Sequence, residues 1–365
     1  MVEGANDAII AVHASTGQVL YANPATERLL KQPLDGIVGQ PFPSICASEA
    51  VLRSAELIAD AWEQGGAISA ELLLLSQEGE KIPVEVSTKV TQVAQQPGII
   101  LYIRDIRERL RLQRIIEEKN QQLLESIEYA RRLQVGALPS LAQVQVLFPR
   151  SFLLYLPRDI VSGDFYWIAE KSGKRFLAVG DCTGHGVPGA MMVMLSLAFL
   201  NQALSNLVTP TPAQLLTFLH RSLCNTFDTQ RVRDGADILL LEWSEGGMLR
   251  WASANRPLWY FREGEIIEEK GERAPVGGST DPTYVWSDRL LSPIRGRLFL
   301  STDGYADQFG GERAKKLTTG RFKRLLGETA SLPLAEQAEY LRRFFSEWKG
   351  NLEQVDDVLV VGLEL

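Results

Sequence analysis

The chain has 365 residues, 45% of them hydrophobic, and a net charge of −7 at pH 7. That length suits two or three compact domains, and an acidic chain without a Lys/Arg block excludes a nucleic-acid footprint. The three cysteines, Cys46, Cys182 and Cys224, lie far apart with no CxxC or Cys/His spacing, which excludes a zinc site and predicts intracellular thiols. The first ten residues lack the basic start and apolar core of a signal peptide, and the longest apolar run, around Ala190–Leu200, is about half of a membrane span, so a cytoplasmic protein with no membrane segment is expected.

Residues 6–104 read as a small α/β unit. "AIIAVHASTGQVLYANPATERLL" gives two short strands around Ser15-Thr16-Gly17, then a helix capped by Asn23 with Pro24 at its first position. "ISAELLLLSQEGEKIPVEVSTKVTQV" gives a strand, a turn and a strand, and "GIILYIRDI" a last strand that ends in charge. This order, with the "GQVLYANPA" pattern and the closing Arg104-Asp105-Ile106, resembles a PAS sensory domain, assigned to residues 1–104. The ligand of that domain stays unknown. Cys46 lacks the context of a flavin photosensor cysteine, and His13 is not placed as a haem ligand.

Residues 105–139 form a helical linker. No Pro or Gly occurs from Asp105 to Val135, and Ile116, Asn120, Leu123, Ile127 and Ala130 are spaced 4, 3, 4, 3. That is the seam of a coiled coil in which Asn120 fixes register, although Arg109 and Gln113 interrupt it upstream. A parallel homodimer is expected; an amphipathic helix packed on its own domain is the alternative. Gly136 weakens the helix and Pro139 ends it. The segment Leu133–Pro139 would pass a change in the coiled coil to the domain that follows.

Residues 140–365 behave as one α+β domain. Strands are expected at "FLAVGD", "ADILLLEWS", "MLRWASA", "PLWYFREG", "YVWSDRLL", "RLFLSTDG" and "DVLVVGLEL", and helices near 188–207, 212–227 and 334–348. Strands in runs with paired helices argue for antiparallel sheets flanked by helices. Four acidic motifs stand where apolar strands meet a glycine or a turn: Asp164 in "VSGDFYW", Asp181 in "VGDCTGHG", Asp303 in "STDG", and Asp356 with Asp357 in "VDDVLVVG". No Lys or Arg lies beside them in these motifs. A half-buried carboxylate is costly unless paired or bound to a cation, and an all-oxygen donor set suits Mg²⁺ or Mn²⁺. Each acid taken alone would be an ordinary turn or strand-end residue.

"SGDFYW", "VGDCTGHGVPGAMM", "LFLSTDGYADQFGG" and "VDDVLVVG" resemble, in order, the motifs of the metal-dependent PPM-type protein serine/threonine phosphatases, in the bacterial branch typified by stage II sporulation protein E. "YARRLQVGALPS" is similar to the segment that leads into that branch's domain. The resemblance implies an α-β-β-α sandwich of antiparallel sheets holding two Mn²⁺ or Mg²⁺ ions. Asp181 would bridge both ions, Asp303 and Asp356 would hold one, Asp164 would support the other, and the backbone carbonyl of Cys182 would add a ligand. It further implies a metal-bridging hydroxide that attacks phosphorus in line, with no covalent enzyme intermediate. The implied substrate is a phosphorylated anti-sigma-factor antagonist with a STAS domain.

Gly184 and Gly186 would let the backbone turn beside the ions. His185 is expected to tie that turn, with an acid role as the lesser reading, and Asp357 to support Asp356. Asp234 and Asp237 read as acids at a strand start, with a contact to a third metal or to substrate as the lesser reading. Ser162 replaces a glycine that the family often has, and Leu359 a threonine. His13 and His220 read as structural, and Met191, Met192 and Met194 as core. Two other readings stay open. One is a non-catalytic PAS-dimer scaffold with a phosphatase-like binding domain, against which the intact acid set stands. The other is a nucleotide-responsive hydrolase of small phosphoesters, which would need a basic phosphate pocket that the motifs do not display.

Overall fold

The computed structural model describes residues 5–65, 67–93, 95–227, 234–244, 248–278, 280–291 and 296–365. The chain divides into two compact units, Met1–Gln122 and Leu123–Leu365.

The first unit carries β1 (Ala8–His13), β2 (Val19–Ala22), α1 (Pro24–Leu30), α2 (Val51–Gln64), β3 (Ser69–Leu75), β4 (Lys81–Val93) and β5 (Gln96–Asp105). They form an antiparallel sheet of order β2-β1-β5-β4-β3. Alternation builds its core: Ile10, Val12, Leu72, Leu74, Val84, Val86, Leu101 and Ile103 are buried on one face. Asn23 caps α1 as its sequence predicts, accepting from the Thr26 N–H at 3.1 Å and from the Ile9 N–H of β1 at 2.9 Å. Cys46 is buried in this core, and burial pushes its thiol up to about 11.

The helix α3 (Arg107–Ala137) contains the division between the units. Its seam residues Ile116 and Leu123 are more than half exposed in the single chain, as is Leu133 of the switch segment, Asn120 is exposed, and Ile127 is half-buried. Gln134 is the buried residue of α3, at 3% exposure. Past Pro139, Ser140 and Gln143 close a reciprocal capping box that starts α4 (Leu141–Leu147).

The second unit continues with β6 (Ser151–Leu156), β7 (Asp164–Lys171), β8 (Lys174–Cys182), α5 (Gly186–Asn206), α6 (Pro212–Phe227), β9 (Gly235–Ser244), β10 (Leu249–Ala254), β11 (Leu258–Arg262), β12 (Glu265–Glu269), β13 (Val276–Gly277), β14 (Arg289–Leu291) and β15 (Arg297–Ser301). It closes with α7 (Gly304–Asp307), the hairpin β16 (Phe309–Gly310) and β17 (Lys315–Lys316), α8 (Thr319–Glu328), α9 (Leu334–Lys349) and β18 (Val358–Glu364). One sheet runs β14-β10-β9-β8-β7 with β13 on β9; the other runs β12-β11-β15-β18-β6. All named pairs are antiparallel.

Period-two alternation splits β15 and β18 between two cores. Leu298, Leu300, Leu359 and Val361 join Leu239 and Leu241 of the first sheet together with α5 and α6, whereas Phe299, Val358 and Val360 face Phe322, Leu341 and Phe345 of α8 and α9. The layers are therefore helix, sheet, sheet, helix.

Several expectations change. "YVWSDRLL" is a strand only over Arg289–Leu291, because Tyr284 and Trp286 turn inward and stack edge-on, with Trp286 edge-on to His220 of α6. Strands β6 and β7 and helix α8 were not foreseen as elements. Met192 is core, but Met191 and Met194 are exposed on α5, because the helical period sends Val193, Leu197 and Leu200 inward instead. α5 also exceeds the apolar run read from sequence: by length and composition it could cross a membrane, yet it is a partly buried core helix, with 44% of its apolar window buried.

Candidate metal-binding active site

Antiparallel pairing brings the strand ends of both sheets to one edge. In the first sheet β7 starts at Asp164, β8 stops at Cys182 and β9 starts at Gly235, so Asp164 lies opposite Asp181 and Asp181 opposite Asp237. Residues directly opposite share a face, and three carboxylates stand in a row. In the second sheet β15 stops at Ser301 and β18 starts at Val358, which leaves Asp303, Asp356 and Asp357 just beyond the strands. The turn at Gly304 presses on the backbone of Asp357 so closely that a Cβ there would meet its carbonyl oxygen at 1.8 Å, so only glycine fits. The Thr302 hydroxyl of the second sheet donates to Asp164 Oδ2 of the first at 2.6 Å.

Burial and mutual repulsion set the charge states. Asp164 is 2% exposed, and burial followed by the Asp181 charge pushes its carboxyl well above the usual range against the Thr302 hydroxyl. Burial raises Asp181 to about 7; Arg256 opposes, and Asp303, Asp356 and Asp237 add to the rise. Burial also raises Asp237 and Asp356.

The two acids of the last motif have different tasks. Asp357 is buried; its Oδ1 accepts from the Arg158 N–H at 2.8 Å and its Oδ2 from the Gly163 N–H at 2.7 Å. It fastens the loop that carries Asp164. Asp356 interacts with Asp303 and Asp181. The same loop is held from behind: Gln134 donates to the Ser162 carbonyl at 2.7 Å and accepts from the Ser162 N–H at 3.0 Å.

Gly184 and Gly186 have φ of 87° and 63°, the left-handed turn expected after Asp181. The Cys182 N–H donates to the Gly163 carbonyl at 3.0 Å, and the Cys182 carbonyl faces Gly163 at this turn. The Cys182 thiol points instead into the core beside Ser196, and burial drives it far up. His185 precedes α5 with Nδ1 3.0 Å from Asp159 Oδ2, and its side chain is 55% exposed. Asp234 uses its carbonyl to accept from the Gly278 N–H at 3.0 Å. His220 is engaged inside the fold, with Nε2 2.8 Å from the Asp281 carbonyl and Nδ1 accepting from the Gly277 N–H at 2.9 Å.

The expectation of an acid site without a base is corrected by Arg256. Its Nη2 contacts Asp181 Oδ2 and lies 3.2 Å from Asp303 Oδ2 and 3.8 Å from Asp237 Oδ2. The side chain is 10% exposed and its Nε has no hydrogen-bond partner. Asn255, left-handed at φ 61°, donates to Asp237 Oδ1 at 2.7 Å and aims the turn between β10 and β11 at the acids. Arg256 is the site residue that motif reading missed, and Asp237, read first as a strand-start acid, joins the cluster. The only signal for them was the Asn-Arg-Pro turn between two strands and the acid at the start of a third.

Among the described residues no three acids, histidines or cysteines stand as a ready-made ion cage. The chemistry of the donor set nevertheless fits a hard divalent cation: every candidate ligand is an oxygen, and one guanidinium faces three carboxylates, Asp181, Asp237 and Asp303.

The family profile of stage II sporulation protein E (SpoIIE) matches residues 171–365, more than half of the chain, and that of the PAS fold matches residues 2–111. The SiaA-PP2C domain of Pseudomonas aeruginosa is similar over 68% of this chain and 98% of its own, at 30% identity and a TM-score of 0.62. The RsbU and RsbW domains of a Mycobacterium tuberculosis protein align over 59% of each chain at 18% identity and a TM-score of 0.48. A PAS domain from Desulfitobacterium hafniense covers 29% of this chain and 97% of its own at 21% identity and a TM-score of 0.27. No curated protein matches the chain. The chain belongs to the stage II sporulation protein E family of PPM-type phosphatases and carries an N-terminal PAS domain.

Proposed function

We propose that this protein is a sensor-regulated phosphoserine/phosphothreonine protein phosphatase that depends on Mn²⁺ or Mg²⁺. The observation that carries the reading is the convergence of Asp164, Asp181, Asp303 and Asp356 from two sheets on one edge. These four would hold two ions, with the Cys182 carbonyl beside Asp181. Bound there, such ions supply a water of lowered pKa and neutralise phosphoryl oxygens. The chain's own residues do the positioning. Thr302 orients Asp164, while Asp357 and Gln134 fix the Ser162-Gly163 backbone from two sides. A thiol nucleophile is disfavoured, since Cys182 is buried with its thiol pushed far up.

The edge opens to solvent, because the Asp303 and His185 side chains are 47% and 55% exposed. Beside it, α5 exposes Val187, Met191 and Met194 at helical spacing. An apolar strip next to an open site suits a phosphorylated side chain on a folded protein better than a small phosphoester. We take the substrate class to be a phosphorylated STAS-domain anti-sigma-factor antagonist, as the family resemblance implies. The same reading makes the PAS domain the sensor of a signal of unknown chemistry and the protein a cytoplasmic homodimer paired along α3.

Hydrolysis of p-nitrophenyl phosphate with Mn²⁺ tests the reaction class. Wild type should be active, EDTA should abolish the activity, and Asp181→Asn should lack it. Turnover that survives both EDTA and Asp181→Asn would overturn the reading. A silent full chain is compared with a chain that begins at Leu123, which keeps Gln134; silence there as well favours the scaffold.

A further inference from the structure

Asp181, Asp237 and Asp303 come from different elements, and carboxylates this close repel. The cation among them is Arg256, whose Nη2 contacts Asp181 Oδ2 and stands 3.2 Å from Asp303 Oδ2. One nitrogen within hydrogen-bond reach of both carboxylates fills the space that an ion shared by them needs, since such an ion sits only ~2.1 Å from each oxygen. The guanidinium is placed by the acids and not by contacts of its own, because its buried Nε has no partner.

We propose that Arg256 is a built-in competitor of the metal, holding the cation position between Asp181 and Asp303 in the metal-free protein and leaving it when a divalent ion enters. The inference rests on the metal-site reading above. It makes the affinity for metal depend on the turn between β10 and β11, where Asn255 is tied to Asp237 at 2.7 Å. An Arg at this place lowers metal occupancy at a given ion concentration, so any partner that draws the turn away loads the site.

The test is Mn²⁺ binding to the chelator-stripped full chain, read from the electron paramagnetic resonance signal of free Mn²⁺ and by calorimetry. Removing one unit of positive charge from the centre of the cluster should tighten Mn²⁺ binding by about tenfold or more in Arg256→Met, while Arg256→Lys stays near wild type. The stripped Arg256→Met protein should also melt below wild type and gain more than wild type from saturating Mn²⁺. Arg256→Gln reads the same way should the methionine variant not fold. Wild type that binds Mn²⁺ while both neutral variants bind it equally or more weakly overturns the competitor. Failure of wild type and variants alike to bind Mn²⁺, with Asp181→Asn no different, overturns the metal site itself.

Discussion

Gln134 lies on a helix that is otherwise exposed or half-buried, yet it is 3% exposed and bonds both backbone groups of Ser162. Ser162 is itself fully buried and stands two residues before Asp164. Replacing Gln134 by Leu keeps the helix propensity and roughly the volume, but strands a buried N–H and a buried carbonyl. Each such orphan costs about 1–3 kcal/mol, so Gln134→Leu should destabilise the second unit by about 2–6 kcal/mol. For a domain of this size that lowers the melting temperature by about 4 °C at the least and by about 20 °C at the most.

Urea unfolding of the full chain, followed by tryptophan fluorescence, measures it. Trp62 is the one tryptophan outside the second unit, so the signal reports mainly on the phosphatase core. The same substitution should lower kcat on p-nitrophenyl phosphate, because Ser162 and Gly163 carry Asp164. Gln134→Glu should be at least as harmful, since its carboxylate accepts from the Ser162 N–H but repels the Ser162 carbonyl. A Gln134→Leu protein within about 0.5 kcal/mol of wild type would refute the reasoning, because ordinary surface substitutions fall in that range.

Three further outcomes are expected. Cys46, raised to about 11, and Cys182, pushed far up by burial, should resist Ellman's reagent at pH 8 in the native protein, and more than one fast-reacting thiol per chain would contradict their burial. Asp181 is raised by burial from 3.8 to about 7, so a metal must displace its proton: Mn²⁺ affinity, by calorimetry, should climb with pH up to about 7 and then level off, and a falling slope would sink the assignment. The sign for stability is the reverse, since what this carboxyl contributes to the metal-free fold is present below its ordinary value and lost as pH rises through about 7. Finally, replacing Leu123 and Ile127 by Glu should give a monomer in analytical ultracentrifugation with altered basal activity, and a monomeric wild type would remove the proposed dimer.

What could be read from sequence was local. A run of apolar residues that meets an Asp beside Gly announces a strand end or start and a turn, and this marked Asp164, where the run follows, and Asp181 and Asp303, where it precedes, before any strand order was known. Asn23 before Pro24 announced a capped helix for the same reason. The order of strands is not local. That β8 pairs with both β7 and β9, and so lines Asp237 up with Asp181, depends on a register between segments far apart in the chain. Gln134 hides equally well: on a charged helix a Gln looks solvated until a loop supplies an N–H and a carbonyl at its own spacing. In "VDD" the two acids have separate tasks, as neighbours on an extended chain point opposite ways, but nothing in the letters says which faces the cluster.

The missing counter-charge follows from the same limit and changes how the acid motifs should be read. A search beside each Asp finds no base, because Arg256 reaches Asp181 across 75 positions and Asp303 across 47. Four acids without a base would require metal for neutrality alone. With Arg256 among them the cluster has a cation of its own, so metal is needed for what an Arg cannot supply: a second positive charge and a water of lowered pKa. The demand for an ion is then chemical more than structural. The fold should survive removal of metal while activity does not, and a chelated wild type that stays folded but silent would bear this out, whereas one that unfolds on chelation would show that Arg256 does not balance the acids.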